Sequence, residues 1–226
     1  MMFKEHKIQL IHGLFIIYSL FALGCFFIFN QGDLFNLSKY EYIPLLMIWN
    51  IFLAFIAFDA VQLHLWSGHW VIKCLSAVIA FLFYPNSYYM VTDAKHIGDW
   101  FPNPALMDFA QIDSQKLCYF ILLMAGVFFG VFLGFETIMP ILRRYFVSYL
   151  SKSAFVLIMS FLSAVAIYAG RVSSERINSW DVFYRPIYTL GKLFAVVQPS
   201  NFSFLMLFTL FQLFIIGLGF AIAWRN

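Results

Sequence analysis

The chain has 226 residues, of which 63% are hydrophobic and only 11% are charged, and its mean hydropathy is +0.84. A soluble domain of this length must cover itself with more polar surface, so the composition excludes an ordinary soluble protein. The formal net charge of +3 is too small and too dispersed to indicate nucleic-acid binding. The three cysteines have no CxxC spacing and predict neither a disulfide framework nor a zinc site.

Six segments are apolar over about the 20 residues that a helix needs to cross a bilayer. In chain order they cover residues 8–29, 42–63, 70–90, 117–138, 154–170 and 202–224. The first is too long for the apolar part of a signal peptide and therefore predicts a spanning helix. We predict an all-α fold: a single transmembrane domain over residues 1–226, built as a polytopic bundle of about six helices.

The placement of lysine and arginine favours a multi-pass protein of the cell membrane with both termini in the cytoplasm. The loop after the fourth predicted helix carries Arg143, Arg144 and Lys152 and no acid. The loop after the fifth helix places four basic residues on the other side and weakens this bias. In either orientation, six spans put the loops after helices three and five on the same face, which we expect to be the outer one.

Each of these two outer loops is predicted to contain a short interfacial helix. In the first loop, Asn103 and Pro104 are typical of a helix N-cap followed by proline at the first helical position. In the second, apolar residues recur at near-helical spacing with Lys192 on the other side, which is typical of a helix lying in the interface. These apolar residues are Ile187, Leu190, Phe194 and Val197.

The first polar motif lies at the outer end of the third predicted helix. Pro85 has no backbone N–H and leaves a carbonyl without its helical donor, a gap that Asn86 or Ser87 could fill. Asp93 and His96 are three residues apart and would share one helical face. They could orient each other, bind a metal or relay a proton, or they could form an interfacial pair that caps the helix.

The second polar motif follows the fifth predicted helix. Gly170 could end this helix in the left-handed conformation. Arg171 at the membrane boundary needs an anionic partner, and Asp93 or Asp181 could supply it. Asn178, or the serine after it, could cap a helix whose first turn contains Asp181. Structural capping and ligand binding therefore remain alternatives here.

Polar side chains also fall within the predicted spans. Asp59, Lys73 and Glu136 lie toward the cytoplasmic ends of helices two, three and four. Because ionisable groups at this depth are costly, we expect Lys73 to pair with Asp59 or Glu136, either as a structural salt bridge or in a proton or ion pathway. Asn50, within helix two, is typical of an interhelical hydrogen bond.

The fourth predicted helix carries a stripe of small residues, Gly126, Gly130 and Gly134. Glycines spaced by four residues allow another helix to approach closely. We expect the stripe to pack within the same bundle, with a homodimer or another membrane-protein partner as the alternative.

Two motifs are similar to those of a bacterial membrane-protein family of uncharacterised activity, domain of unknown function 1361. YPNSYYMVTDAKH resembles Phe-Pro-Asn-x-x-Tyr-x-x-Thr-Asp-x-x-His, and GRVSSERINSWD resembles Gly-Arg-x-x-Arg-x-Asn-Ser-Trp-Asp with two additional residues. WNIFLAFIAFDAVQ resembles the family's Asn-x-x-Leu-Ala segment on the second helix. The resemblance implies a shared site that contains Asn86, Tyr89, Thr92, Asp93, His96, Arg171, Asn178, Trp180 and Asp181.

Three functions fit these features. The protein could bind a small polar or lipid-headgroup ligand at the outer face. It could be a membrane enzyme acting on a lipid-linked substrate, with Asp93, His96 and Asp181 as metal ligands or acid/base groups. It could also be an accessory subunit whose loops hold the helix ends together. The chain carries no P-loop, GxSxG or HExxH motif, and we predict no cofactor.

Overall fold

A computed structural model describes residues 2–29, 42–95, 97, 113–173 and 175–223. Within them all regular structure is helical, which confirms the predicted all-α class. Two 3-10 helices, Met90–Lys95 and Pro199–Asn201, accompany nine α-helices in the described part of the chain. The α-helices are α1 Met2–Phe29, α2 Ile43–Trp66, α3 Trp70–Phe83, α4 Pro85–Tyr89, α5 Ser114–Tyr145, α6 Tyr149–Arg171, α7 Asp181–Tyr184, α8 Pro186–Val196 and α9 Phe202–Ala223.

Six helical segments are long and apolar enough to cross a membrane, which confirms the predicted polytopic bundle. Four of them belong to α1, α2, α5 and α6, and the other two are Trp70–Lys95 and Pro199–Ile222. The span of α6 begins at Tyr149, five residues before the predicted start. The reason is local, since the Ser148 hydroxyl accepts a hydrogen bond from the Ser151 backbone N–H at 3.1 Å and caps the helix.

The third span is interrupted where proline was expected to disturb it. Pro85 occupies the first turn of α4, and Tyr84 forms the turn between α3 and α4. The Asn86 side chain donates a hydrogen bond to the carbonyl of Phe83 at 3.0 Å. Asn86 therefore supplies a donor at the break, but to Phe83 rather than to Phe81, whose carbonyl is the one four residues before Pro85. The Ser87 hydroxyl is buried without a partner among the described residues.

Helix α2 lies at the centre of the bundle. Of its most apolar window 56% is buried, against 22% for the corresponding windows of the first and last spans. Its buried face includes Met47, Ile51 and Phe58, which pack in one apolar cluster with residues of α1 and α5. A second cluster joins α4, α5, α6 and α9. Polar groups on α2 are thereby held close to several other helices.

The glycine stripe of α5 packs against the same chain. A methyl group on Gly130 would lie 2.8 Å from the Ser87 carbonyl oxygen, and one on Gly134 would lie 2.8 Å from the Tyr88 ring. At Gly126 the nearest atom is the Tyr18 hydroxyl of α1, also at 2.8 Å. The stripe therefore lets the break between α3 and α4 approach α5. A homodimer through these glycines was the wrong alternative, since all three are buried inside one chain.

The interfacial helix predicted in the second outer loop corresponds to α8. Ile187 and Phe194 are exposed by 87% and 76%, whereas Thr189 and Val196 are buried against the bundle. The helix thus presents apolar side chains away from the protein, as a helix bathed by lipid or headgroups does. The helix predicted after Asn103 and Pro104 lies outside the described residues.

Candidate functional site

A buried ion pair joins the two polar motifs. Asp93 lies in the 3-10 helix at the end of the third span, and Arg171 is the last residue of α6. The Arg171 guanidinium donates to Asp93 Oδ1, and the two side chains are only 14% and 3% exposed. Asn50 of α2 donates to Asp93 Oδ2 at 2.9 Å. Three separate spans therefore meet at one carboxylate, and we call this end of the bundle the site face.

Tyr89 covers the arginine from one side. The Arg171 Cζ atom lies 4.0 Å from the centre of the Tyr89 ring, within the range of a cation–π contact. The Tyr89 hydroxyl donates to the carbonyl of Gly170 at 3.4 Å. These contacts hold the guanidinium between an aromatic face and the Asp93 carboxylate.

Gly170 allows this close approach. It was expected to end the helix in the left-handed conformation, but no described residue has positive φ, and α6 continues through Arg171. A methyl group on Gly170 would lie 3.1 Å from the Ile177 carbonyl oxygen and 3.2 Å from the Tyr89 ring. The glycine is therefore needed for space rather than for a left-handed turn.

The segment before α7 folds back onto the third span. The Asn86 amide, besides bonding Phe83, donates to the Ser179 hydroxyl at 3.0 Å. The Trp180 ring contacts the Phe83 ring edge-to-face with a centroid distance of 4.9 Å. Thus polar and aromatic contacts connect the break between α3 and α4 to the loop after α6.

The Asp181 side chain closes the turn that leads into α7. Its Oδ2 accepts a hydrogen bond from the backbone N–H of Asn178 at 2.7 Å. The expectation that Asn178 or Ser179 caps the helix was wrong, because Trp180 occupies the N-cap position and makes no side-chain cap bond. The Ser179 hydroxyl instead faces Asn86.

A cavity of about 820 Å³ lies beside this cluster, between α2, α3, α4, α6 and α8. One part of its wall is polar, with charges from Asp93, Arg171 and Asp181. The remainder is mainly aliphatic and aromatic. Polar or amphipathic lining residues include Asn50, Asn86, Tyr89, Asn178, Ser179 and Trp180, and apolar ones include Leu46, Trp49, Leu53, Leu162, Leu193 and Phe194.

The Arg171 guanidinium is not fully used by the protein. Its Nε atom is buried and has no hydrogen-bond partner within the described residues. Buried polar atoms are normally paired, so this N–H is a polar group that the described residues leave unsatisfied.

Seven of the nine residues predicted for the site line this cavity: Asn86, Tyr89, Asp93, Arg171, Asn178, Trp180 and Asp181. Thr92 does not, because its hydroxyl bonds the carbonyl of Tyr89 at 2.6 Å within its own segment. His96 lies outside the described residues. No group of three or more metal-ligating side chains occurs in the part of the chain that the structure describes.

The deeper polar residues form different pairs from those expected. Asp59 faces His12 at 3.2 Å, and Glu136 accepts from Lys7 at 2.7 Å. The predicted pairing of Lys73 was wrong, since neither acid bonds it within the described residues. Both partners of these acids, His12 and Lys7, belong to α1. Asn50 belongs to the site face instead.

A second set of contacts joins α8 to the loop after α6. Glu175 accepts hydrogen bonds from Lys192 and from the Tyr188 hydroxyl, each at 2.5 Å. The hydrogen bonds from Lys192 and Tyr188 lower the pKa of Glu175 below its ordinary value. This cluster is exposed to solvent and stands outside the cavity wall.

Ser179 and Ile177 are site residues that the sequence did not indicate as such. Ser179 stands within the second motif, and its spacing alone suggested a helix cap rather than a bond to Asn86. The apolar wall carries no sequence signal, because its residues resemble every other apolar residue of a membrane span.

These features define a polytopic helical membrane protein whose third and fifth spans end in a joint polar cluster beside a cavity. The chain matches a family described as protein of unknown function, DUF1361, over residues 49–215. It belongs to that family, and the matched region contains both polar motifs. No curated protein and no solved structure matches the chain.

Proposed function

We propose that the cavity at the site face binds an amphipathic ligand, a membrane lipid or lipid-linked molecule, by its polar headgroup. The observation that carries this proposal is the cavity itself, in which Asp93, Arg171 and Asp181 lie at the polar end of a largely apolar wall. Ligand cavities in proteins are typically apolar with a few convergent polar groups. A volume of about 820 Å³ is in the usual range for such cavities.

Access from the membrane supports a lipid over a purely water-soluble ligand. Three apolar lining residues on different helices have large exposed fractions: Trp49 with 50%, Leu162 with 40% and Phe194 with 76%. These surfaces lie on helices long and apolar enough to contact lipid chains, or on the interfacial helix α8. An acyl chain can therefore lie along the wall while its headgroup reaches the polar end.

The charges of the lining suggest the headgroup class. Asp93 and Asp181 outnumber Arg171, so the polar end carries no excess of positive charge. A polyanionic headgroup would meet two carboxylates, whereas a zwitterionic or hydroxyl-rich headgroup can use amide, carboxylate and guanidinium groups together. We therefore favour the latter class. The membrane face that this site occupies is proposed to be the outer one, from the charge bias of the loops.

The test fills the cavity without touching the ion pair. Ala166 lines the cavity on α6, while Ala154 on the same helix is exposed and lines neither this cavity nor the one described below. Wild type, Ala166→Trp and Ala154→Trp would be purified in mild detergent, and the lipids that co-purify would be counted by native mass spectrometry. We expect wild type and Ala154→Trp to retain the same number of lipids and Ala166→Trp to retain one fewer. Equal retention by all three proteins would contradict the proposal.

A second candidate is a structural role, in which the motifs lock the helix ends together. It is favoured by the Asp93 carboxylate, which is bonded by both Arg171 and Asn50 and so joins three spans. In this case Ala166→Trp would leave cellular function intact, whereas Asp93→Asn would unfold the protein in detergent. Loss of a cellular phenotype in a folded Ala166→Trp protein would favour ligand binding instead.

A further inference from the structure

We propose that a second cavity, at the opposite face of the membrane from the site face, binds an anionic phospholipid. This cavity has a volume of about 610 Å³ and lies between the last turns of α5 and α9 and the first turns of α6. It shares no lining residue with the first cavity. The inference is therefore independent of the proposed function of the site face.

The wall of the second cavity is suited to acyl chains. Seven of its lining residues have purely apolar side chains, contributed by three different spans: Met139, Leu142, Val156, Leu157, Leu213, Ile216 and Phe220. Leu157 is 50% exposed, so the cavity wall continues onto the surface of a spanning helix. A chain of a bilayer lipid can enter such a groove from the side without leaving the membrane.

The mouth of the cavity is basic. Arg143, from the last turn of α5, and Lys152, from the first turn of α6, both line it, and no acidic residue does. Neither side chain takes part in an ion pair among the described residues. The Lys152 ammonium lies 5.8 Å from the centre of the Tyr149 ring, and Ser153 supplies a further hydroxyl. This set of donors complements a phosphate group.

The two cavities have different lining charges, and these match the different headgroups proposed for them. The first combines one cation with two carboxylates, whereas the second combines two cations with none. Basic groups at a membrane surface attract anionic lipids, and each contributes roughly fivefold to the binding constant. Apolar walls and a cationic mouth together fit a phospholipid of the bilayer better than a free phosphate compound, which has no chain to place against the wall.

The experiment compares the two basic residues that line the cavity with a neighbouring basic residue that does not. Purified protein in mild detergent would be titrated with phosphatidylglycerol or phosphatidylcholine, and bound lipid would be counted by native mass spectrometry. We expect wild type to prefer phosphatidylglycerol, and Arg143→Gln with Lys152→Gln to weaken that binding by about 25-fold, which is roughly fivefold for each cation. Arg144→Gln is the control, because Arg144 has the same charge and is exposed but does not line the cavity.

Three results would overturn the inference. The first is equal binding of the two lipids by wild type. The second is an Arg144→Gln protein as impaired as the double variant, which would indicate only a general surface charge. The third is displacement of the lipid by millimolar inorganic phosphate.

A second pair of variants covers the case in which loss of both charges prevents folding. Leu157→Trp would fill the cavity while keeping both cations, and Ile158→Trp places the same side chain on the adjacent exposed position outside the cavity. We expect only Leu157→Trp to reduce phosphatidylglycerol binding. Equal binding by these two proteins would also contradict the inference.

Discussion

The ion pair between Asp93 and Arg171 should be strongly coupled energetically. The Asp93 and Arg171 side chains are 3% and 14% exposed, so each charge is stabilised by the other rather than by water. Arg171→Met leaves the Asp93 carboxylate without the guanidinium, and breaking a buried pair in this way costs about 3–5 kcal/mol. Asp93→Asn keeps an acceptor for Asn50 but leaves the guanidinium without a counter-charge, so its cost should be at the lower end of that range.

The double variant, Asp93→Asn with Arg171→Met, removes both charges. Its destabilisation should be much smaller than the two single destabilisations added together. It loses hydrogen bonds worth about 1 kcal/mol each but buries no unpaired charge. We expect the destabilisation of the double variant to be smaller than the sum of the two single destabilisations by at least about 3 kcal/mol. The free energy of unfolding can be measured by titrating bicelle-embedded protein with sodium dodecyl sulfate and following circular dichroism.

A matched exposed pair provides the control for this cycle. Lys7 and Glu136 are also an ion pair of two different helices, but the Lys7 side chain is 52% exposed. Lys7→Met with Glu136→Gln should therefore show a coupling of at most about 1 kcal/mol. If Arg171→Met alone costs less than about 1 kcal/mol, or the two pairs show equal coupling, the reasoning about burial at the site face is refuted.

Two further predictions test how the helices pack. Gly130→Ala should destabilise the protein by about 1–3 kcal/mol in the same titration, because the added methyl group meets a backbone oxygen at 2.8 Å; Gly24→Ala, with nothing within 4 Å, should cause no loss, and equal effects would contradict the packing of α5. Mild oxidation should join Cys25 to Cys118 within one chain, because their sulfur atoms lie 2.6 Å apart. Cys74 is exposed and should still react with maleimide after the oxidation. If peptide mass spectrometry found Cys74 in the cross-link, the placement of α1 beside α5 would be contradicted.

The number of spans could be predicted from the sequence because hydrophobicity over about 20 residues is a strong signal. Helix ends were less predictable, since they depend on single contacts such as the Ser148 cap of α6. The parity of six spans also brought the two polar motifs to one face, and Asp93 was one of the two partners expected for Arg171. The choice between Asp93 and Asp181 required the fold, because Asp181 is used by its own turn.

Other features of the site were beyond the sequence because they depend on packing between distant segments. Asn50 lies about two turns into α2, roughly 10 Å from its first residue, which is deep enough to be read as an ordinary interhelical residue. Lys73 was expected to pair with Asp59 or Glu136, which lie at a similar depth. In the structure, these two acids pair instead with His12 and Lys7 of α1. Nothing in a run of apolar residues distinguishes the wall of a cavity from the lipid-facing surface.

The measurement that most directly tests the central claim is a crystal structure of the protein grown from a lipid phase. The account predicts a bound amphipathic molecule in the cavity at the site face, with its polar end within hydrogen-bond distance of polar lining residues such as Asn178 or Ser179 and its apolar part along the wall that includes Leu162. A cavity closed by its own side chains, with no bound molecule, would contradict it.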